Sequence, residues 1–590
     1  MRRLQRLLLT LFISLCFSIT MAQDEHYSLS VITEPPTPLQ FNPTYPSIDS
    51  INYAISTTIQ QLIDEGYLAA ALDSLVIGDE VVNAQIFVGQ QYVLQQVSNG
   101  NLPEVDFSKL FGVDRGDENL SWKELSRLKA KLLEQYNNNG FLEAQVWLDN
   151  FEFQQNQVST SVFADPGNQY VFDSLIVRGN LDVQHQYLKN YFSLKKGQAI
   201  QPDWLEKIHQ RADQSTFFKL ENKPGFLLDD AGNAQLVLEL NDKASNEFDL
   251  VLGFLPNPNP QLSSRNLLLT GEGSLKLYNP LGGARTLAID YKQLQPESPR
   301  IDLDLVWPTF FEQPLGATAN FELIKQDSSF VNVNFNIGAQ YQLGGNNYLR
   351  FFFKRSDSFL QEIDTAFIRQ NRSLEQAIDY NQNLYGAKVN WDQRNNSFNP
   401  QRGYWLLLTS AIGNRSVEPN STITSIEDTS FDFSTIYNGL NDRKLTTDIE
   451  FLGQYFIPLK QRSTILLQNN TGYRDYDNYF GNDLYRLGGL FSVRGVDEQS
   501  ILASKYSITS LEYRFLLGEE SFFSVFSDGA WVTDERETIN TTNFYTGLGT
   551  GIDLATQAGI FTLNLAVAQD KNTTFDFNRS RIHIGYVNRF

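Results

Sequence analysis

The chain has 590 residues, too many for one ordinary domain, with 68 acidic against 47 basic residues and a formal net charge of −21. That balance disfavours nucleic acid as a partner, because binding there is driven by neutralising phosphates. A single cysteine leaves no intramolecular disulfide.

Arg2, Arg3 and Arg6 precede an apolar run from Leu7 to Ile19 and then Thr20-Met21-Ala22. A basic head, a short apolar stretch and a small-residue cleavage site predict a secretory signal over 1–22. Cys16 follows Leu15, too bulky a neighbour for a lipoprotein signal. Cleavage would leave 44 basic residues (47 less the three arginines) against 68 acidic, a charge of −24, and would remove the only cysteine and both methionines. Thiolate and iron–sulfur chemistry are therefore not expected. Beyond residue 22 no apolar run approaches the ~20 residues of a membrane helix. The other way across a bilayer is a closed barrel, whose strands are only half apolar. The 43 Phe, 26 Tyr and 7 Trp suit its aromatic girdles.

Residues 27 to 240 contain a repeat. Gly66-Tyr67-Leu68-Ala69-Ala70 returns as Gly140-Phe141-Leu142-Glu143-Ala144, and Gly89-Gln90-Gln91-Tyr92-Val93 as Gly167-Asn168-Gln169-Tyr170-Val171. The two offsets, 74 and 78 residues, predict a duplicated unit. In the first copy Ile48, Ile51, Ile55, Ile59, Leu62 and Ile63 form a helical stripe. In the second, Ser121 and Glu124 form a capping box ahead of Trp122, Leu125, Leu128, Leu132 and Tyr136. A third copy, from Tyr170 to Leu240, lacks the glycine–aromatic signature at Phe217-Phe218. The expected modules are 23–89, 90–167 and 168–243, each α+β.

From Asn246 the helical period gives way to alternation, as in Phe248/Leu250/Leu252/Phe254 and Leu511/Tyr513/Phe515. Sixteen strands are expected over 244–590, starting near 246, 265, 283, 299, 316, 330, 347, 382, 403, 443, 462, 504, 521, 542, 558 and 580. The three longest connections, Ser356–Tyr380, Asn414–Asn441 and Arg474–Ala503, all follow odd-numbered strands. Gly344-Gly345-Asn346 and Leu459-Lys460-Gln461 make tight turns after even ones. Long external loops and short periplasmic turns are the asymmetry of outer-membrane barrels. A soluble β-sandwich gives no reason for it.

The loop 474–503 contains Val493-Arg494-Gly495, and the next two strands each carry one acid opposite their apolar residues, Glu512 and then Asp528. A guanidinium infolded into a barrel would find its hydrogen bonds on those carboxylates. The repeats resemble POTRA domains. Together with the strand count, the Arg494 loop, Asn399-Pro400-Gln401-Arg402-Gly403 and the terminal aromatic Phe590, the layout resembles the BamA/TamA superfamily, nearest its TamA-like branch. Val496 stands where that family has an aromatic. The resemblance implies a loop lock of Val493, Arg494, Gly495, Glu512, Asp528 and Gly529. It also implies a lateral seam between first and last strands, with Phe248, Leu250, Tyr586 and Phe590 at it and Phe590 as a terminal signal.

His26, His185, His209 and His583 show no metal-ligand spacing, and P-loop and nucleophile-elbow motifs are absent. Glu512 and Asp528 could mimic a glycosidase pair, but the arginine argues for an ion cluster. No enzyme activity, metal or cofactor is expected. The expected function is assembly or translocation of β-rich outer-membrane or surface clients, with a periplasmic arm, outer-membrane lipid around the barrel and a periplasmic or inner-membrane partner for the arm. The alternatives are a two-partner-secretion-type transporter of one exoprotein and a passive channel or receptor.

Overall fold

The computed structural model describes residues 27–590 other than 79, 104–106, 108–119, 257–266, 281, 294–296, 311–312, 441–444, 461, 491, 537–538, 557–558, 572, 578–579 and 590, with the backbone alone for 251–256, 267–270, 460 and 589. The expected signal, 1–22, and Phe590 lie outside the described residues. The chain divides into two compact units, Met1–Val171 with Ala199–Pro202, and Phe172–Gln198 with Asp203–Phe590.

The first unit holds two POTRA-like modules. In one, β1 (Tyr27–Glu34), β2 (Thr44–Tyr45), β3 (Ala71–Ile77) and β4 (Val81–Phe87) form a sheet in the order β2-β1-β4-β3, covered by α1 (Ile48–Asp64). Ser47 and Ser50 close a capping box at the start of α1, and the apolar stripe follows from there. Ile51, Ile55 and Leu62 are buried against Val82, Ala84 and Ile86. Each such side chain contributes roughly 1.5–3 kcal/mol of burial. In the other module β5 (Val93–Asn99), β6 (Gln145–Gln154) and β7 (Gln157–Asp165) lie in the order β5-β7-β6 against α2 (Trp122–Asn138). The Ser121–Glu124 capping box starts α2.

The two repeated sequence signatures meet in one structure. The Gly66 carbonyl accepts a hydrogen bond from the Tyr92 amide at 2.9 Å, and Gln91 Nε2 donates to the Glu65 carbonyl at 2.8 Å. The same pair of bonds recurs at Gly140–Tyr170 (2.8 Å) and Gln169–Asn139 (2.9 Å). Gly66 has φ +100°, and a Cβ on it would collide with the Tyr92 carbonyl oxygen. The end of α1 is thus hydrogen-bonded to the start of the second module, within the first unit.

The second unit opens with a third module: β8 (Val171–Arg178), α3 (His185–Phe192), α4 (Trp204–Gln214), β9 (Phe218–Leu220), β10 (Gly225–Leu228) and β11 (Asn233–Asp242). Its sheet runs β10-β11-β8, with β9 also on β11. An aromatic cluster replaces the glycine signature here. Tyr191 packs edge-on against Phe192 and Phe218 at 5.3 and 5.4 Å, and Phe217 against Phe218 at 5.2 Å.

A closed antiparallel barrel of sixteen strands follows, as expected. Its first half comprises β12 (Glu247–Pro256), β13 (Leu267–Tyr278), β14 (Thr286–Gln293), β15 (Arg300–Trp307), β16 (Leu315–Gln326), β17 (Phe330–Gly344), β18 (Asn347–Leu360) and β19 (Tyr380–Asp392). The second half comprises β20 (Gly403–Val417), β21 (Leu445–Lys460), β22 (Ser463–Asp475), β25 (Lys505–Leu516), β26 (Phe522–Asp534), β27 (Thr541–Thr556), β28 (Gly559–Gln569) and β29 (Arg581–Arg589). Between β22 and β25 a small hairpin of β23 (Tyr485–Leu487) and β24 (Ile501–Ala503) stands off the barrel wall. Every expected strand start falls within three residues of the observed one. The expected loop limits need correcting at two places. β18 runs on to Leu360 and β20 to Val417, so the connections expected from Ser356 and Asn414 begin later. Leu360 is still paired with Phe330 of β17 and Val417 with Tyr380 of β19, so both strands run on past the expected limits.

Side chains alternate through the wall. On β26, Phe523, Val525 and Trp531 are exposed outward, while Ser524, Phe526 and Asp528 are buried inside. Among the described residues no helix is long and apolar enough to cross a membrane. The third module sits against the short-turn end of the barrel. Gly345 donates to the Tyr191 carbonyl (2.6 Å), and Asn346 Nδ2 and Ser397 Oγ donate to the Gln214 carbonyl (3.0 and 2.6 Å).

Candidate functional site: an ionic loop lock and a short seam

The tip of the long loop between β22 and β25 is a tight turn. The Val496 amide donates to the Val493 carbonyl at 3.3 Å, with Gly495 third in the turn at φ +92°. A type II turn requires positive φ at that position, so glycine follows the arginine. Gly495 also lies flat on the wall, where a Cβ would come within 2.6 Å of the Val567 carbonyl carbon. Val493 is fully buried among Leu487, Ile501, Ile508 and Ala530, and Val496 packs at the edge of the same cluster. Valine therefore fills the place where an aromatic was expected from the family resemblance.

The turn aims Arg494 at two strands. Its Nε and Nη2 donate to both oxygens of Asp528 at 2.8 and 2.7 Å, and its Nη1 donates to Glu512 at 2.6 Å. The Arg494 amide adds a fourth bond, to Asp528 at 3.1 Å. The Arg494 side chain is 12% exposed, Glu512 8% and Asp528 0%. Arg514, two residues beyond Glu512 on the same face, donates to its other oxygen at 2.7 Å. Two cations and two anions make a neutral quartet, the condition for burying charge without a large penalty. The Arg494 guanidinium also lies 3.4 Å from the centre of the Phe526 ring. Alternation places Phe526 and Arg514 beside the expected acids, and that signal was open to sequence reading.

Gly529 does not join this group. As the strand neighbour of Asp528 it faces outward, where a Cβ would sit 3.4 Å from the exposed Phe544 ring. It is corrected to a wall residue.

A second ion pair was missed. Asp483, on the descending limb of the same loop, accepts two bonds from Arg415 of β20 at 2.7 and 2.9 Å, with the side chains 1% and 6% exposed. The Arg415 guanidinium lies over Tyr380 and Tyr476, 4.8 and 5.2 Å from their ring centres. Beside it Asn482 Nδ2 donates to Ser358 Oγ and to the Ile378 carbonyl, both at 2.7 Å. Here the loop supplies the anion and the wall the cation. Arg415 and Asp483 are 68 residues apart, and no local pattern joins them.

The seam between β12 and β29 is short. Among the described residues its ladder comprises Glu247–Arg589 and Phe248–Asn588, whereas every other neighbouring pair in the barrel spans seven residues or more. Phe248 lies in it. Leu250 pairs with Gly273 of β13 and is exposed, and Tyr586 pairs with Phe561 of β28, their rings 4.8 Å apart. The described ladder is thus narrower than the four seam residues expected.

A sixteen-strand barrel led by POTRA-like modules, with an arginine-tipped loop bound inside it, defines an outer-membrane barrel of the assembly and transport class. The Omp85 superfamily domain matches residues 279–590, and the chain belongs to the Omp85 superfamily. Among curated proteins none matches the sequence. Of solved structures, CdiB from Escherichia coli is similar with TM-score 0.52 and 12% identity, over 92% of this chain and 97% of that one. CdiB from Acinetobacter baumannii gives TM-score 0.48 and 12% identity over 84% and 89%. BamA from Haemophilus ducreyi lacking POTRA domains 1-3 gives 0.41 and 12% over 84% and 99%. The E. coli CdiB likeness is one of fold.

Proposed function

We propose that this chain assembles or translocates β-rich client proteins at the outer membrane, with its modules in the periplasm and its long loops outside. The two-pair seam is the observation that carries the reading. Each ladder hydrogen bond contributes a net ~0.5–1.5 kcal/mol, so parting two residue pairs is far easier than parting seven or more. An opened β12 or β29 would offer its backbone groups as a template to an incoming strand. The modules would supply the client. β6 is an edge strand of the second module and carries exposed Trp147, Phe151 and Phe153, suited to an extended aromatic segment. The lock of Arg494, Glu512 and Asp528 would hold the loop against the wall while the seam works. The three described modules ahead of the barrel support a likeness to the TamA-like branch.

A second reading is export of one exoprotein through the lumen. It is favoured by a polar cavity of about 450 Å³ inside the barrel, lined by Arg300, Glu322, Lys354, Glu450 and Arg474 among others. Depletion followed by outer-membrane proteomics separates the readings. Assembly predicts loss of many β-barrel or surface proteins. Loss of one exoprotein alone, or of solute uptake alone, overturns it.

A further inference from the structure

The tip of the Arg494 loop does not stop at the two strands that hold its arginine. The Arg494 carbonyl lies against Gly547 of β27, close enough that a Cβ there would collide with it. Gly495 lies on Val567 and Ala568 of β28. The next strand is β29, and Asp497 reaches it. One Asp497 oxygen accepts from Arg581 Nε at 2.7 Å and the other from Nη2 at 3.0 Å, a two-pronged carboxylate–guanidinium pair. Within four residues the tip therefore presents a cation to β25 and β26 and an anion to β29.

The position of Arg581 gives this pair its significance. It is the first residue of β29, at the long-loop end, whereas the described ladder to β12 lies at the other end, at Asn588 and Arg589. The backbone pairing of β29 with β28 also begins there, at Arg581–Ala566. We propose that Asp497 is a positioning residue that fastens the long-loop end of β29 through Arg581, so that the locked loop sets how readily the seam strand moves. The inference rests on the reading of the seam as the working edge. It extends the lock from holding a loop to restraining a strand.

The pair is partly exposed, 42% at Arg581 and 65% at Asp497, so its strength is that of a well-formed exposed ion pair. Such pairs reach about 1 kcal/mol, or up to about fivefold in the ratio of released to fastened strand. Hydrogen exchange on the purified full-length protein, without client, reads that ratio directly. Asp497→Asn and Arg581→Gln should each speed exchange of the β29 amides near residue 582 by up to about fivefold, leaving β25 and β26 unchanged. The charge-swapped double variant Asp497→Arg with Arg581→Asp should restore the wild-type rate, which a loss of packing would not do. Raising salt from 0.1 to 1 M on the wild-type chain shortens the screening length from about 10 to about 3 Å and should reproduce the rise without any substitution. Wild-type rates in both single variants, no rescue by the swap, or no effect of salt would each overturn the proposal. None of these outcomes depends on client assembly, so they are distinguishable from failure of the depletion experiment.

Discussion

Replacing Arg494 with alanine removes three of the four hydrogen bonds at the loop tip and leaves the acids in place. Glu512 keeps Arg514 at 2.7 Å, so its loss is partial. Asp528, fully buried, loses both side-chain bonds and keeps the Arg494 backbone amide at 3.1 Å. Breaking a buried ion pair from one side costs about 3–5 kcal/mol, and the retained contacts put this case near ~3. The tip should then open roughly a hundredfold more often, by the equivalence of 1.4 kcal/mol to a factor of ten. Val493 is the place to measure it, being fully buried beside the arginine. A Val493→Cys thiol would be the only one in a chain processed at residue 22. Its alkylation should be about a hundredfold faster with Arg494→Ala than without, and intermediate with Arg494→Lys, which keeps charge but loses the fork. The barrel should remain folded and inserted. An alkylation rate within about threefold of the parent would refute the reasoning, because an opening energy that insensitive leaves the ion cluster no role in holding the loop.

The Arg415–Asp483 pair, more buried still, should act on a different part of the same loop. Asp483→Asn is expected to raise protease sensitivity of the segments after β18, β20 and β22 while leaving Val493→Cys alkylation near its parent rate, and equal acceleration of both would show a single cooperative loop. Gly66→Ala and Gly140→Ala should each destabilise the first two modules by more than about 1 kcal/mol, since both glycines have positive φ and face a tyrosine carbonyl. Urea unfolding of the full chain, followed by proteolysis at the module junctions, would show it, and unchanged midpoints would refute it. Trp147→Ala and Phe153→Ala should each cost about 0.5–1.5 kcal/mol, for the ring contacts with Phe163 and Tyr92, leave the module folded, and weaken photo-crosslinking of client segments to β6. Undiminished crosslinking would remove β6 from the capture step.

The wall of the barrel was readable because a strand repeats every two residues and a membrane barrel needs one polar and one apolar face. Each strand declares itself locally, and starts such as Phe330, Asn347 and Gly403 fall at the expected residue. Glu512 and Asp528 were legible for the same reason, as acids on the polar face, and the turn that aims Arg494 needs a glycine that the sequence displays. Gly529 follows Asp528 in sequence, but alternation turns it to the outer face beside Phe544. Strand ends were less legible, since Leu360 and Val417 continue their strands only because adjacent strands are there to pair with them.

Local periodicity thus carries the sixteen-strand wall and the inward faces of Glu512 and Asp528, because each strand repeats every two residues on its own. What awaited the tertiary structure were the contacts that depend on where the loop lies inside the closed wall. Arg415 meets Asp483, Asp497 meets Arg581, and β12 meets β29 over two residue pairs, each between segments far apart in sequence. Side-chain periodicity records which face a residue takes. Which distant residue stands opposite is decided by barrel closure and by the path of the loop, and no local pattern carries that.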